Sequence, residues 1–374
     1  MTGLSGRADG VSVTVVGGGV GGLSSAAYLA DAGADVTLVE KNDQLGGRAS
    51  RLEAEGFRFD MGPSWYLMPD VFERFFGHFG KTPGDYYDLE RLDPHYRIFF
   101  KGEAHSASKQ SNGRNPRDGD APTASDGGVA VPKSTGTENR RPLDGGGAVV
   151  DVAADRATNR ELFESIEAGA GEAFDDYLAT SENHYETAMK KFVYEDRSSL
   201  RDWVDLDVMR AAPVGVKLMR SMQGHVDDYF ENPKLQQIMQ YTLVLLGGSP
   251  KNTPALYNMM SHVDFNMGVY YPTAVEPNEN GDHPGGIGVV VDAFVDLCRE
   301  LGVTFETGVE VDEITRRKRG FSVVDESGIE RRPDRVVVNA DYAHAEQELF
   351  PEHERQYDAD YWEDRTYAPS AYLL

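Results

Sequence analysis

The chain has 374 residues and a formal net charge of −25 at pH 7, from 62 acidic against 37 basic side chains, with a single cysteine. That length is enough for two domains with substantial cores. The charge argues against a nucleic-acid partner, and one cysteine excludes both an intrachain disulfide framework and a cysteine-based zinc site.

The acids are spread along the chain instead of gathered in a tail. This pattern suits a cytoplasm of high salt, where screening relieves the self-repulsion of an acidic surface. The nine histidines show no ligand spacing of the H-E-x-x-H kind, so no metal is predicted. No apolar run approaches the ~18 residues of a membrane-spanning helix, and the first ten residues lack an apolar signal core. An intracellular protein is expected.

The informative stretch runs from residue 11 to residue 48. Val11, Val13, Val15 and Val16 make an apolar, β-branched run that suits a buried parallel strand. Gly17, Gly19 and Gly22 follow in G-x-G-x-x-G spacing, then a small-residue helix over 23–32 and a second strand over 35–39 that ends in Glu40. In such a unit the first glycine permits the tight turn, the second lets a pyrophosphate approach the backbone, and the third lets helix and strand pack closely. The helix N-terminus offers free N–H groups and the positive end of its dipole to phosphate. Glu40 is placed to hydrogen-bond a ribose hydroxyl. Strand, turn, helix, strand and acid occur in the order that dinucleotide binding requires, but NAD and FAD share this unit and the spacing does not choose between them.

Beyond it, residues 57–64 lead to a short aromatic helix at 71–79, and 96–100 reads as a strand. Residues 103–147 hold no aromatic side chain and few large aliphatics. They cannot bury enough apolar surface to offset the entropy of ordering, so a disordered insertion is expected inside a hairpin of strands 96–100 and 148–152. Helices are predicted over 159–181 and 182–194. Between 203 and 222, apolar residues alternate with Arg210, Lys217 and Arg220 around Pro213 and Gly215. Such a segment fits a membrane interface, a lid over an apolar tunnel, or ordinary core. Aromatic residues at 65–79 and 228–271 read as core or as the wall of an apolar channel. Val290, Phe294, Leu297 and Leu301 share a helix face that Gly302 ends, with Cys298 buried on its apolar side. Strands are predicted at 303–305, 309–311, 321–324 and 336–338. The chain thus returns to an α/β sheet after a largely helical excursion, which points to a discontinuous cofactor domain.

Leu45-Gly46-Gly47-Arg48 behind the acid, then Phe59-Asp60-Met61-Gly62-Pro63-Ser64, form a second block that a nicotinamide dehydrogenase does not need. With LLGGSPKNTPALY, GVYYP, LGVTFETGVEVDEI, VVVNADYAHA and YAPSAYLL, the order of motifs resembles the phytoene desaturase family of flavin-dependent carotenoid desaturases, within the FAD-containing amine oxidase superfamily. The resemblance implies FAD as cofactor. It adds Lys41, Gly47, Arg48, Gly62, Pro63, Ser64 and Val311 to the cofactor-binding residues Gly17, Gly19, Gly22 and Glu40. Val311 is placed against the adenine, and Asn339, Ala340 and Asp341 toward the flavin.

The implied fold is α/β: a discontinuous Rossmann-type FAD-binding domain (10–75 and 286–345) with an inserted α+β substrate domain (76–285). Family members continue past YAPSAYLL, so 346–374 is expected to begin a further substrate-domain segment that is cut short. The implied activity is desaturation of phytoene, a C40 polyene. A 3,4-desaturase, isomerase or ketolase of the same fold, or an inactive FAD-binding fragment, is the alternative. An apolar polyene as substrate and peripheral contact with the inner face of the cell membrane are expected. Neither a proton acceptor nor an oligomeric state is assigned.

An excess of 25 negative charges repels itself over a screening length of ~30 Å at 0.01 M salt but only ~3 Å at 1 M. The melting temperature is therefore expected to rise steadily from low to molar KCl. A flat response in a salt-dependent melting series contradicts the halophilic reading.

Overall fold

A computed structural model describes residues 7–100, 148–195, 220–277 and 283–365. Its central sheet has four parallel strands, β1 (Ser12–Val16), β2 (Asp35–Glu40), β9 (Thr304–Thr307) and β13 (Arg335–Val338), in the order β13–β1–β2–β9. Val15 lies between Leu38 on one side and Val337 on the other. The strand that precedes the glycine turn is therefore flanked by residues more than 300 positions away as well as by its immediate successor. Val15 and Leu38 are fully buried, and each such side chain contributes about 1.5–3 kcal/mol by leaving water.

Helix α1 (Val20–Asp31) covers one face of the sheet and packs against α7 (Ile287–Glu300). Its buried contacts are Leu23, Ala26 and Ala27. The two alanines keep the interface thin, so the Cys298 thiol reaches the Leu23 carbonyl at 3.3 Å. Burial pushes that thiol up to about 12, so it is an unreactive core group. On the other face Val16 and Val39 meet Val311, Ile314 and Val323 from an antiparallel meander of β10 (Val311–Arg316), β11 (Phe321–Asp325) and β12 (Glu330–Arg331). The parallel sheet is covered on both faces, as its apolar strands demand. The fold is the discontinuous Rossmann-type arrangement expected from the sequence.

The apolar core of this unit does not stop at residue 75. Tyr66 and Tyr87 are both 1% exposed and share a hydroxyl–hydroxyl hydrogen bond of 3.0 Å. Tyr87 opens β5 (Tyr87–Arg91), which pairs with β8 (Tyr270–Ala274). Both strands, with α2 (Pro69–His78) and its Phe75 stacked on Phe294 at 4.5 Å, pack on the first core. Aromatic packing carries that core into the segment the sequence reading gave to the substrate domain.

The second core is built on the hairpin of β6 (Tyr96–Phe100) and β7 (Ala148–Val152), which pair as expected, Tyr96 with Val152 and Phe100 with Ala148. The insertion 103–147, the 203–222 segment as far as residue 219 and the YAPSAYLL stretch lie outside the described residues. Against the hairpin pack α3 (Arg156–Ile166), α4 (Ala170–Ala188), α5 (Met222–Asp227) and α6 (Pro233–Gln240), around Phe163, Phe174, Tyr177 and Phe230. The helical break falls at Glu167–Gly169, not at Ser181–Glu182 as predicted. Gly169 has a left-handed φ of +84°, which glycine adopts without strain, and the Glu164 carboxylate accepts hydrogen bonds from the Gly169 and Gly171 N–H groups. Among the described residues no helix is long and apolar enough to cross a membrane, and no group of three His, Cys, Asp or Glu side chains is arranged to hold a metal.

Asn258 ties this layer together. Its fully buried side chain accepts through Oδ1 from His184 Nδ1 at 2.8 Å and donates through Nδ2 to His225 Nε2 at 3.0 Å. Burial, reinforced by Arg220, pushes His225 down from 6.5 to about 4, so the folded chain keeps the ring neutral. The unfolded chain binds that proton first as the pH falls, and stability is lost between about pH 6.5 and pH 4. Allowing for screening at a partly exposed ring, the loss is on the order of 2 kcal/mol. Acid melting curves are expected to show a smaller drop across that window for His225→Gln than for the wild type. Identical pH slopes in the two proteins would count against this account.

Candidate functional site

The site grows from the turn between β1 and α1. Gly17 has φ +102° and donates its N–H to the Val39 carbonyl at 2.8 Å. A Cβ there would lie 2.9 Å from the Asn339 carbonyl oxygen, and one on Gly22 would run into the carbonyl of Gly17. Both positions must be glycine for β1, α1 and β13 to meet. Gly19 differs. Its φ of −71° suits any residue, and a Cβ would find only the Asn339 amide at 3.3 Å and Gly47 at 3.9 Å. What a side chain on Gly19 would fill is the cavity in front of it. No side chain caps α1, so its first-turn N–H groups remain available to an anion.

Glu40 ends β2 and is 5% exposed. Its Oε2 accepts from the Gly18 N–H at 2.7 Å, and its Oε1 accepts from the Asn42 N–H at 3.0 Å and from Asn42 Nδ2 at 2.6 Å. A carboxylate offers about four acceptor positions, so one remains on Oε2 for a hydroxyl in the cavity. From its spacing alone, Glu40 has only the external role. The structure adds an internal one, fastening the glycine turn to the end of β2.

The second glycine pair explains itself by contact. Gly46 donates to the Gly18 carbonyl at 2.8 Å and bridges to Gly19. Gly47 has φ +58°, and a Cβ there would stand 3.0 Å from the Gly19 Cα. The two glycine segments are stacked backbone on backbone, which brings Arg48 to the rim. Arg48 is 94% exposed along its side chain and stands 3.6 Å from Asp341. Gly62 has no room for a side chain because it lies on the Arg48 carbonyl.

These elements enclose a cavity of about 950 Å³, within the range of ligand sites. Of the residues singled out from the sequence, Gly17, Gly19, Glu40, Lys41, Gly47, Arg48, Pro63 and Val311 line it. Gly22, Gly62 and Ser64 do not line it; the first two act from beneath, by close packing. Sequence reasoning missed Asn42, Tyr342, His344 and Leu349. Gly46 was legible as half of a glycine pair, whereas Tyr342, His344 and Leu349 carry no spacing signal. Asn339, expected toward the flavin, lays its side-chain amide over Gly19 and Gly21.

A second cleft of about 890 Å³ lies between α7 and the hairpin of β3 (Arg51–Ala54) and β4 (Phe57–Asp60). It holds none of the glycine motifs, and its arginines are already paired, Arg51 with Asp292 at 2.7 Å. The first cavity combines an anion-receptive turn, a carboxylate with a spare acceptor and an apolar end at Val16, Val39, Val309 and Val311. That donor set fits a dinucleotide with an adenine at one end.

A family profile described as flavin containing amine oxidoreductase matches residues 20–371. The chain belongs to this family. Its cofactor is FAD. The chain is 62% identical over all 374 residues to the carotenoid 3,4-desaturase of Haloarcula japonica, and spans 64% of that protein's length. It is 30% identical over 349 residues, 92% of this chain and 56% of the relative, to the zeta-carotene-forming phytoene desaturase of Myxococcus xanthus. A crystal structure of a Pyrococcus furiosus protein shares the fold, with a TM-score of 0.53 at 15% identity, over 94% of this chain and 64% of that one.

The glycines separate binding from folding. Gly19→Val is expected to purify as a folded protein without flavin absorbance, because its side chain fills only the cavity. Gly22→Ala is expected to lose soluble yield through its clash with Gly17. Glu40→Ala is expected to weaken FAD binding by about 1–3 kcal/mol, the range for a charge-assisted hydrogen bond. Flavin titration alongside melting curves checks all three, and normal flavin content in Gly19→Val would remove the assignment.

Proposed function

We propose that the chain carries the FAD-binding machinery of a carotenoid desaturase that introduces the double bond between C3 and C4 of a carotenoid. The sequence reading placed phytoene first and 3,4-desaturation among the alternatives; the order is reversed here. The observation that carries the change is the 62% identity, over the whole of this chain, with a carotenoid 3,4-desaturase, against 30% with a phytoene desaturase.

Desaturation removes a hydride and a proton from adjacent carbons. No amino-acid side chain accepts a hydride, and the bound flavin supplies that capacity. The chain's own residues bind and orient. In this reading the α1 N-terminus and Gly19 receive the diphosphate, Glu40 takes a ribose hydroxyl on its spare acceptor, and Val311 packs on the adenine. Arg48 and Pro63 border the cofactor from the far side of the turn.

A polyene presents no polar handle, so its recognition rests on apolar and aromatic surface. Trp65 follows Ser64 directly, and its ring lies 6.1 Å from Tyr96 and 5.8 Å from Tyr241. These rings lie at the edge of the second core, and they are the aromatic wall nearest in sequence to the Gly62–Ser64 turn. A substrate that dissolves only in lipid also favours peripheral contact with a membrane surface.

The test supplies liposomes containing either phytoene or a conjugated carotenoid saturated at C3–C4, in molar salt with added FAD. The chain is assayed alone and joined to the part of the Haloarcula japonica relative that it does not span. Loss of two hydrogens from the conjugated carotenoid alone, read by mass spectrometry, is the expected result. Conversion of phytoene instead would overturn the proposal.

A further inference from the structure

The far wall of the FAD cavity comes from residues that follow β13. Asp341 caps the short helix Tyr342–His344, its Oδ1 accepting from the Ala343 and His344 N–H groups at 3.1 and 3.3 Å. Its other oxygen faces Arg48 at 3.6 Å. Arg48 follows Gly47, which is stacked on Gly19. Tyr342 thus follows directly on the residue that ties this wall to Arg48 and, through Gly47, to the glycine turn, and it lines the cavity.

The ring is held from behind. Trp362 meets it edge-to-face at 5.3 Å and Tyr357 at 6.3 Å, and its hydroxyl donates to Gln356 Oε1 at 3.2 Å. Tyr357 is itself stacked on Tyr361 at 3.9 Å. The loop that carries Gln356 and Tyr357 is anchored because the buried Glu346 carboxylate accepts both of their N–H groups, at 2.8 and 3.0 Å. Yet Tyr342 remains 50% exposed while Trp362 behind it is 9% exposed. An aromatic ring fixed on one side by two others, with another side bordering the cavity, is preorganised for a ligand and loses little entropy on meeting one.

We propose that Tyr342 is a cofactor-contacting residue that closes the cavity over the ribose–diphosphate stretch of FAD, with the Tyr357–Tyr361–Trp362 cluster as its support. The inference rests on the FAD reading of the cavity. Its contribution is contact area and exclusion of water from the diphosphate, where hydrogen bonds from the glycine turn strengthen as water leaves. The position explains why an aromatic side chain is left half-exposed beside a packed cluster.

Calorimetric titration of the flavin-free chain with FAD and with ADP tests this. ADP carries the ribose and diphosphate but no isoalloxazine. Tyr342→Ala is expected to weaken both ligands by the same factor, about 2- to 12-fold, the value of one aromatic contact. Tyr342→Phe, which loses only the Gln356 hydrogen bond, is expected to bind both like the wild type. Should Tyr342→Ala melt below the assay temperature without ligand, Tyr342→Leu keeps the volume without the ring and is read the same way. Unchanged affinity in Tyr342→Ala overturns the inference alone, and so does a loss confined to FAD, which would place the ring against the isoalloxazine. An equal loss in Tyr342→Phe overturns it in favour of the hydroxyl anchor. Wild-type chain that binds neither ligand overturns the FAD reading and this inference with it.

Discussion

The hydrogen bond from the Gly18 N–H to the buried Glu40 carboxylate, at 2.7 Å, is the constraint on which the site depends. It joins the turn after β1 to the end of β2, two points 22 residues apart in sequence. It joins the Gly17–Val39 and Gly46–Gly18 hydrogen bonds in bracing the turn, and with the Asn42 donors it sets the direction of the carboxylate. A buried carboxylate is tolerable only when its oxygens are satisfied, and the Gly18 and Asn42 donors satisfy all but one acceptor position. The same three bonds that make burial acceptable leave one acceptor aimed at the cavity.

Around that joint the structure is a problem of close approach. Gly46 and Gly47 lie on Gly18 and Gly19, Gly62 lies on Arg48, and Gly17 and Gly22 lie against each other and Asn339. Backbone meets backbone at most of these points, so the glycine side of the cavity is walled by peptide groups. Such walls offer N–H donors and no flexible side chains, which suits a ligand whose centre is a diphosphate. The thin α1–α7 interface serves the same end by holding α1, and with it the donor end of the helix, against the sheet.

The two cores divide the work. The first, which includes β5 and β8 as well as the parallel sheet, fixes the cofactor cavity. The second is rich in aromatic and aliphatic side chains, with Trp65 packed on it and the next residue, Tyr66, buried in the first. The acidic surface takes no part in either, because the buried ionisable groups of the cofactor unit are satisfied locally.

Much of this was legible in the residues. The apolar run at 11–16, the glycine spacing and the terminal acid determined β1, the turn, α1 and β2, since each signal is local and each reflects a backbone or burial requirement within a few positions. The 96–100 and 148–152 hairpin was equally readable, because both strands keep their apolar pattern whatever lies between them. Other features were not, for one physical reason: they are contacts between segments remote in sequence. The helical break was misplaced because Gly169 is marked by a φ that composition does not show. The core ran past residue 75 because Tyr66 found Tyr87. Glu40 acquired its internal role only once Gly18 was brought to it, and Tyr342 became part of the cavity only when β13 came to lie beside β1. The sequence by itself determined which stretch receives a dinucleotide, through local turn and strand chemistry. Tertiary structure alone decided what closes over it, because that wall is made by strands pairing across more than 300 residues.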